Sequence, residues 1–537
     1  MTVVALLRQR LRRDWLQLTL WILGTAALAA TAVSGVESSY GSLQDRQEVL
    51  AAVMANPVIM LFRGLPSGAE REAFTLFLIF PFLAMMAAFM SSFLAVRHTR
   101  AEEEIGRAEL VSATPAGRTA PTSATIVHGL LANLILAALV ALVYVASGFA
   151  VAGSLIAGAA AGAVGVVFLG VGLVAAQLMR TSRGANSLSV WVLIATFVLC
   201  GLGNALGTPS ADLQRIESSW LTWLSPFGWA ENARPFADDA WWPVILCLGV
   251  GIVLIVAAAA LQPLRDVGES FIAQRPGRLV GPASLSSPLG LVWRLSRGAL
   301  VGWCVGGLLT GLLSTSLASV VNDLGTDIPA LQDVLTALSE NGTLEEGMVV
   351  IFFLIVGVLA ACAAVQTVAR ARQEETHGTA ELLLSAPVGR VRWLAGYLVM
   401  AVAGVIAVCA SAVFGAWAGT LREGETDLVG DALVAGLGQA VAASVFIAVT
   451  ALVFVVAPRL TIPVAWALVL VALLLGLFAP LFDLPDAVAD LSPFTAAPTI
   501  DDGAFDAKGL WWLLAATGVV GAAALVLMRR RPLATTG

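Results

Sequence analysis

Long apolar runs separated by short polar stretches organise this chain from end to end. Crossing a hydrocarbon layer takes about 20 mostly apolar residues. Runs that meet this length fall at about 15–34, 73–97, 124–147, 151–179, 187–207 and 241–262, then at 299–318, 347–369, 393–419, 432–457, 460–480 and 510–528. The pattern predicts an all-α polytopic membrane protein of about twelve transmembrane helices in two tandem six-helix halves, residues 1–270 and 291–537, joined by a linker at 271–290. In the fourth run, Gly158, Gly162, Gly165, Gly170 and Gly172 recur at close spacing. Small residues let helix backbones approach where lipid supplies no hydrophobic drive, so this span is expected inside its bundle. The polar segments on the side opposite the termini are long, and WLTWLSPFGW at 220–229 reads as an aromatic membrane-interface stretch rather than a folded cap.

Composition agrees with the pattern. Hydrophobic residues make up 58% of the 537 and charged residues 12%, with a mean hydropathy of +0.88. A soluble domain carries about a quarter charged residues, so no large soluble domain is left over. The five cysteines lie scattered in apolar runs without CxxC spacing and read as buried small hydrophobes, not as a disulfide framework or metal site. The basic start (Arg8, Arg10, Arg12, Arg13) before an apolar run could suggest a signal peptide. The run is of spanning length, and the same pattern returns at Arg294 and Arg297 before the seventh run, so the segment is expected to be a retained span.

Charge fixes the expected orientation. The termini and the loops on their side hold 23 of the 30 Lys+Arg, against 7 on the other side. Basic residues resist translocation, which places both termini in the cytoplasm of a bacterial cell, with the chain a multi-pass protein of its plasma membrane.

One of the cytoplasmic loops is duplicated. Residues 100–118 and 372–390 align without a gap at an offset of 272, with ten identities in 19 positions. Arg100, Glu102, Glu103, Gly106, Ala108, Glu109, Leu110, Pro115, Gly117 and Arg118 match Arg372, Glu374, Glu375, Gly378, Ala380, Glu381, Leu382, Pro387, Gly389 and Arg390. Each loop reads as a helix leaving the membrane, a break at Gly106 or Gly378, and a short amphipathic helix ended by Pro115 or Pro387. Thr379 is expected to cap the second short helix, where the first copy has Arg107. SerProPhe at 225–227 and 492–494, and paired tryptophans at 241–242 and 511–512, recur before each half's last run.

The run EETHGTAELLLSAP at 374–387 resembles the first cytoplasmic loop of type-2 ABC exporter permeases, and the basic start of each half resembles that family's elbow helix. Two fused halves with a nearly lysine-free composition look most like the tetronasin-resistance permeases of actinobacteria. The resemblance implies a docking surface for two copies of an ABC ATPase at Glu103, Gly106, Glu109, Pro115 and Arg118 and at Glu375, Gly378, Thr379, Glu381, Pro387 and Arg390. It also implies export of a hydrophobic small molecule of antibiotic or ionophore type, no catalytic residues or cofactor on this chain, ATP and Mg on the partner, and no nucleic-acid partner. The second run is dense in Phe and Met; Phe77, Phe80, Met85, Met86 and Phe89 are candidates for an adaptable apolar cavity.

The residues themselves exclude ATP chemistry here. A phosphate-binding Walker loop needs GxxxxGK[ST], and the single lysine, Lys508, has no such surroundings. Two rival classes remain. An ion-coupled carrier would place charged groups within the membrane, yet no Asp, Glu, Lys or Arg falls clearly mid-run. Asn133, Gln177 and Asn204 are expected to make interhelical hydrogen bonds, and His128 to lie at the interface. An intramembrane enzyme would need converging nucleophile and base or metal ligands. His98, His128 and His377 lack ligand spacing such as HExxH, so no metal site is expected.

Overall fold

The computed structural model describes residues 3–55, 60–112, 114, 117, 119–266, 268–272, 281, 287–324, 344–421, 427–478, 491–501, 504–507 and 509–531. Twelve helices among them are long and apolar enough to cross a membrane. They are Val3–Ser39, Arg71–Arg97, Ala120–Ala146, Val151–Leu178, Ser182–Ala205 and Trp242–Leu261, then Pro288–Leu324, Leu344–Thr376, Arg390–Thr420, Asp427–Val456, Thr461–Phe478 and Leu510–Met528. The protein is an all-α polytopic membrane protein, with only two small two-stranded hairpins among the described residues, Thr208–Pro209 with Ile216–Glu217 and Thr499–Asp501 with Ala504–Asp506. Contacts divide the chain into two compact units, Met1–Pro276 and Gly277–Gly537. The expected linker falls mostly outside the described residues.

The basic start of each unit is not a separate helix. It runs unbroken into the first span of its unit, over 37 residues in both Val3–Ser39 and Pro288–Leu324. At 1.5 Å per residue such a helix is about 55 Å long, far more than the hydrocarbon thickness, so one end overhangs the bilayer.

In the first unit the fourth span is the centre, packed against the second, third and sixth. Its glycines make this possible. A Cβ at Gly158 would collide with the carbonyl of Ala137, and one at Gly172 would stand 2.9 Å from both Ala95 Cβ and the Ser92 carbonyl. Asn133 from the third span donates to Ser91 Oγ on the second at 2.8 Å, the interhelical bond its position predicts. In the second unit the eighth span packs on the seventh, ninth and tenth.

The SerProPhe repeats do the same job twice. Ser225 Oγ donates to the Thr196 carbonyl on the fifth span (2.6 Å) and accepts from Phe227 N, while Ser492 Oγ donates to the Ala472 carbonyl on the eleventh (2.9 Å) and accepts from Phe494 N. Each pins a short turn whose Phe is buried.

The segment 208–240 differs from expectation: it is a folded cap. The Thr208–Glu217 hairpin, a 3₁₀ turn at Trp220–Leu224 and the helix Pro226–Glu231 are tied together. Ile216 N donates to Pro66 O at 3.1 Å, and buried Arg234 donates to the Ile216 carbonyl at 2.9 Å. Such a cap has no hydrophobic period to reveal it, because its bonds run from side chains to distant carbonyls. Its rim still carries exposed Trp220 and the stacked pair Trp223–Trp242 (4.9 Å), the aromatic belt expected of an interface.

Candidate functional site

The duplicated loops take the same shape in both units. The second span ends at Arg97, a short helical turn Arg100–Glu104 follows, Gly106 adopts φ +73°, and a six-residue helix runs from Arg107 to Ser112. In the second unit the eighth span runs on to Thr376, Gly378 adopts φ +74°, and a six-residue helix runs from Thr379 to Leu384. Only glycine takes that left-handed conformation without steric cost, so both breaks are fixed by residue type. Glu109 and Glu381 are exposed, and the leucines after them, Leu110 and Leu382, stand 73% and 76% exposed. A pair of leucines held out in this way at matching positions is an apolar knob flanked by an acid, suited to a partner protein's groove. Pro387 is exposed as well; Pro115 and Arg118 lie outside the described residues.

Thr379 does not cap its helix. Gly378 occupies the cap position with no side-chain hydrogen bond, and Thr379 Oγ1 instead donates back to the Glu374 carbonyl at 3.2 Å. The threonine thus satisfies a carbonyl at the end of the preceding span, and the two short helices are equal in length.

Glu103 and Glu375 face inward. Glu103 accepts from Arg265 at 2.6 and 2.9 Å and from Arg100 at 2.9 Å. Glu375, completely buried, accepts from Arg531 at 2.7 and 2.9 Å and from Arg372 at 3.2 Å. Arg265 and Arg531 follow the last span of their respective units, so each unit contains the same Arg–Glu–Arg clamp tying the loop's root to the end of its final helix. Arg100 extends the first clamp by donating to the carbonyls of Ala176 (3.0 Å) and Glu269 (2.8 Å). In the second, Arg390 donates to the Arg531 carbonyl and the Arg531 guanidinium lies 4.4 Å from the Phe454 ring centroid. The sequence repeat contains two residues of each clamp, whereas the distal arginines lie outside the aligned loops. Their signal was an arginine just past the last apolar run of each half.

On the loop side of the first unit, a cavity of about 400 Å³ opens between the overhanging first helix, the loop and the end of the sixth span, lined among others by Arg10, Glu102, Leu110 and Arg265. The Phe/Met face of the second span is packed differently. Phe77 and Phe80 are core residues, 1% and 4% exposed, and the pocket they share holds about 20 Å³, no more than a water. Met85, Met86 and Phe89 are half-buried, with Met85 and Phe89 packed on that core.

Two buried polar clusters were not foreseen. His128, expected at the interface, is fully buried beside His98, and Asp14 joins them. In the cap, Glu231 is buried and accepts from Asn204 Nδ2 at 2.7 Å and from the Cys200 thiol. Burial outweighs those bonds and pushes its carboxyl up to about 7.

The chain matches the family model "Multidrug efflux system permease Rv1217c, C-terminal domain" over residues 5–261 and 285–529, one segment in each unit. It is 36% identical over 534 residues to the multidrug efflux system permease protein Rv1217c of Mycobacterium tuberculosis, which covers 98% of this chain and 94% of that protein.

Proposed function

The chain belongs to the Rv1217c-type multidrug efflux permease family, and from that premise we propose that it is the membrane permease of an ATP-driven ABC exporter. It moves hydrophobic or amphipathic compounds, of the antibiotic or ionophore type that the sequence resemblance implies, out of the cell. Residues 1–270 and 291–537 act as the two halves, with both termini in the cytoplasm, as the charge asymmetry supports. Two ATPase subunits, carrying the ATP and Mg, dock one at each duplicated loop. The observation that carries this reading is the matched pair of short helices, each set off by a left-handed glycine and presenting an exposed leucine. Glu109, Leu110, Glu381 and Leu382 form the contact, while Glu103 and Glu375 brace it from behind. Docking energy transmitted to the loop then reaches the last span of each unit through the clamp.

The test is co-purification of tagged chain with an ABC ATPase recognised by its Walker sequence. Two ATPase copies per chain are expected for the wild type, one for Leu110→Glu or Leu382→Glu, and none for the double variant. Wild type without any ATPase, or a double variant that retains both copies, refutes the reading. A proton-coupled carrier is the second reading, favoured by one observation, the buried Glu231 carboxyl poised near neutrality. It predicts drug efflux that collapses with a protonophore and persists without ATP.

A further inference from the structure

Asp14, His98 and His128 come from three different helices and meet in one buried place. Asp14 lies on the first span and is 3% exposed, His98 ends the second at 1%, and His128 lies on the third at 0%. One donor atom from each falls within 4.8 Å of the other two. His98 Nε2 is hydrogen-bonded to Asp14 Oδ2, and the two imidazole rings stand 5.4 Å apart. Among the described residues, neither nitrogen of His128 has a hydrogen-bond partner, nor does Nδ1 of His98. A buried polar atom left unpaired costs about 1–3 kcal/mol, so three such nitrogens in one cluster need an explanation.

The fold does not require them. At the offset of the duplicated loops, His98 and His128 correspond to Arg370 and Met400. In the second unit Leu300 from the overhanging helix packs at Gly404, one turn from Met400. The second unit therefore fills the place of His128 with an apolar side chain and that of His98 with an arginine, while the first buries two imidazoles and a carboxylate there.

We propose that Asp14, His98 and His128 bind one zinc-class divalent ion, which joins the first three spans at the root of the first loop. The donor set decides the class of ion. Two imidazoles with a single carboxylate suit zinc and its neighbours, whereas calcium and magnesium require oxygen-rich sites. Tetrahedral zinc, about 2.0–2.2 Å from each ligand atom, sets its donors about 3.4 Å apart, inside the 4.8 Å within which these atoms lie, so the ion replaces the direct His98–Asp14 hydrogen bond while drawing His128 in. Arg97 lies 3.1 Å from Asp14 Oδ1, an ion pair at the carboxylate's other oxygen without a hydrogen bond. Arg10 is committed elsewhere, donating to Pro121 O and Thr125 Oγ1 at 2.7 Å and to His98 O at 3.2 Å. His98 also lines the 400 Å³ cavity, which gives the ion a path in and leaves room for water as a fourth ligand.

The test uses the full chain carrying a tag without histidines, incubated with zinc, desalted, and assayed for metal by mass spectrometry. Cobalt replaces zinc in a parallel sample for its visible ligand-field absorption. His128→Met, which installs the residue of the second unit, keeps the corner filled and separates ligand loss from misfolding. Wild type and the exposed-site control His377→Ala are expected to bind about one ion per chain. His128→Met and Asp14→Asn should hold less than about a tenth of that, with His128→Met still monodisperse. A chelator should lower the melting temperature of the wild type but not of His128→Met. Wild type that holds no stoichiometric zinc, stoichiometric binding that survives in His128→Met, or preference for magnesium over zinc overturns the proposal.

Discussion

Replacing Glu375 by glutamine removes the one negative charge at the centre of the second clamp and leaves Arg531 and Arg372, both buried, without it. Losing one partner of a buried ion pair typically costs about 3–5 kcal/mol, because the remaining charge stays desolvated. Glu375 is completely buried and doubly bonded to Arg531, so the upper part of that range applies; Glu103, with a side chain 13% exposed, should lose less on the same change. A loss of about 4 kcal/mol raises the open fraction of the loop root on the order of a thousandfold. Amide hydrogen exchange of 372–384 in detergent or nanodiscs reads this directly, as faster exchange there than in the fourth span, which belongs to the other unit. Combining Glu375→Gln with Arg531→Met removes one of the two arginine charges left without their acid and should restore part of the protection, as apolar replacement of buried ion pairs often does. Unchanged exchange in Glu375→Gln, or a double variant worse than the two singles together, would refute the clamp.

Three further outcomes follow. Glu231 binds its proton more tightly in the folded state, so its stabilising share is full below about pH 4.5 and is lost as pH rises through about 7. The chain should therefore melt lower at pH 8 than at pH 6, and Glu231→Gln should flatten that dependence; equal slopes would contradict the burial argument. Gly172→Leu drives side-chain atoms into Ala95 and the Ser92 backbone and should cost at least about 3 kcal/mol or prevent folding, whereas Gly249→Leu, with nothing within 4 Å, should stay within about 0.5 kcal/mol of wild type, measured by thermal melting. In a cysteine-free background, a cysteine at Asp212 should react with an impermeant maleimide in whole cells and one at Leu382 should not; the reverse pattern inverts the topology.

The helices were legible because hydrocarbon imposes a length on each span and an apolar composition along it. The interior place of the fourth span was legible for a related reason, since close backbone approach demands small side chains whose spacing survives in the sequence. The loops were legible through duplication, and their breaks through glycine. What stayed hidden depends on which distant residues meet. Arg265 and Arg531 lie over 150 residues from their glutamates, and Asp14, His98 and His128 are separated by whole spans. None of these distances leaves a local period or spacing to read. The expected Thr379 cap failed for a local reason: the left-handed Gly378 displaced it by one position, and its hydroxyl found the carbonyl end of the preceding helix instead. The folded cap at 208–240 escaped because it is held by single bonds, Arg234 to the Ile216 carbonyl, Ser218 to Asn232 and Asn232 to Thr222, rather than by an amphipathic face.

On the proposed reading, ATP hydrolysed on subunits docked at the two loops drives this permease. The most direct test is uptake of a lipophilic fluorescent drug into inside-out proteoliposomes holding the purified chain and its ATPase. Uptake is expected to require both ATP and the ATPase, to ignore an imposed pH gradient, and to disappear in Leu110→Glu/Leu382→Glu. Uptake driven by the pH gradient alone, with no ATPase present, would contradict that reading.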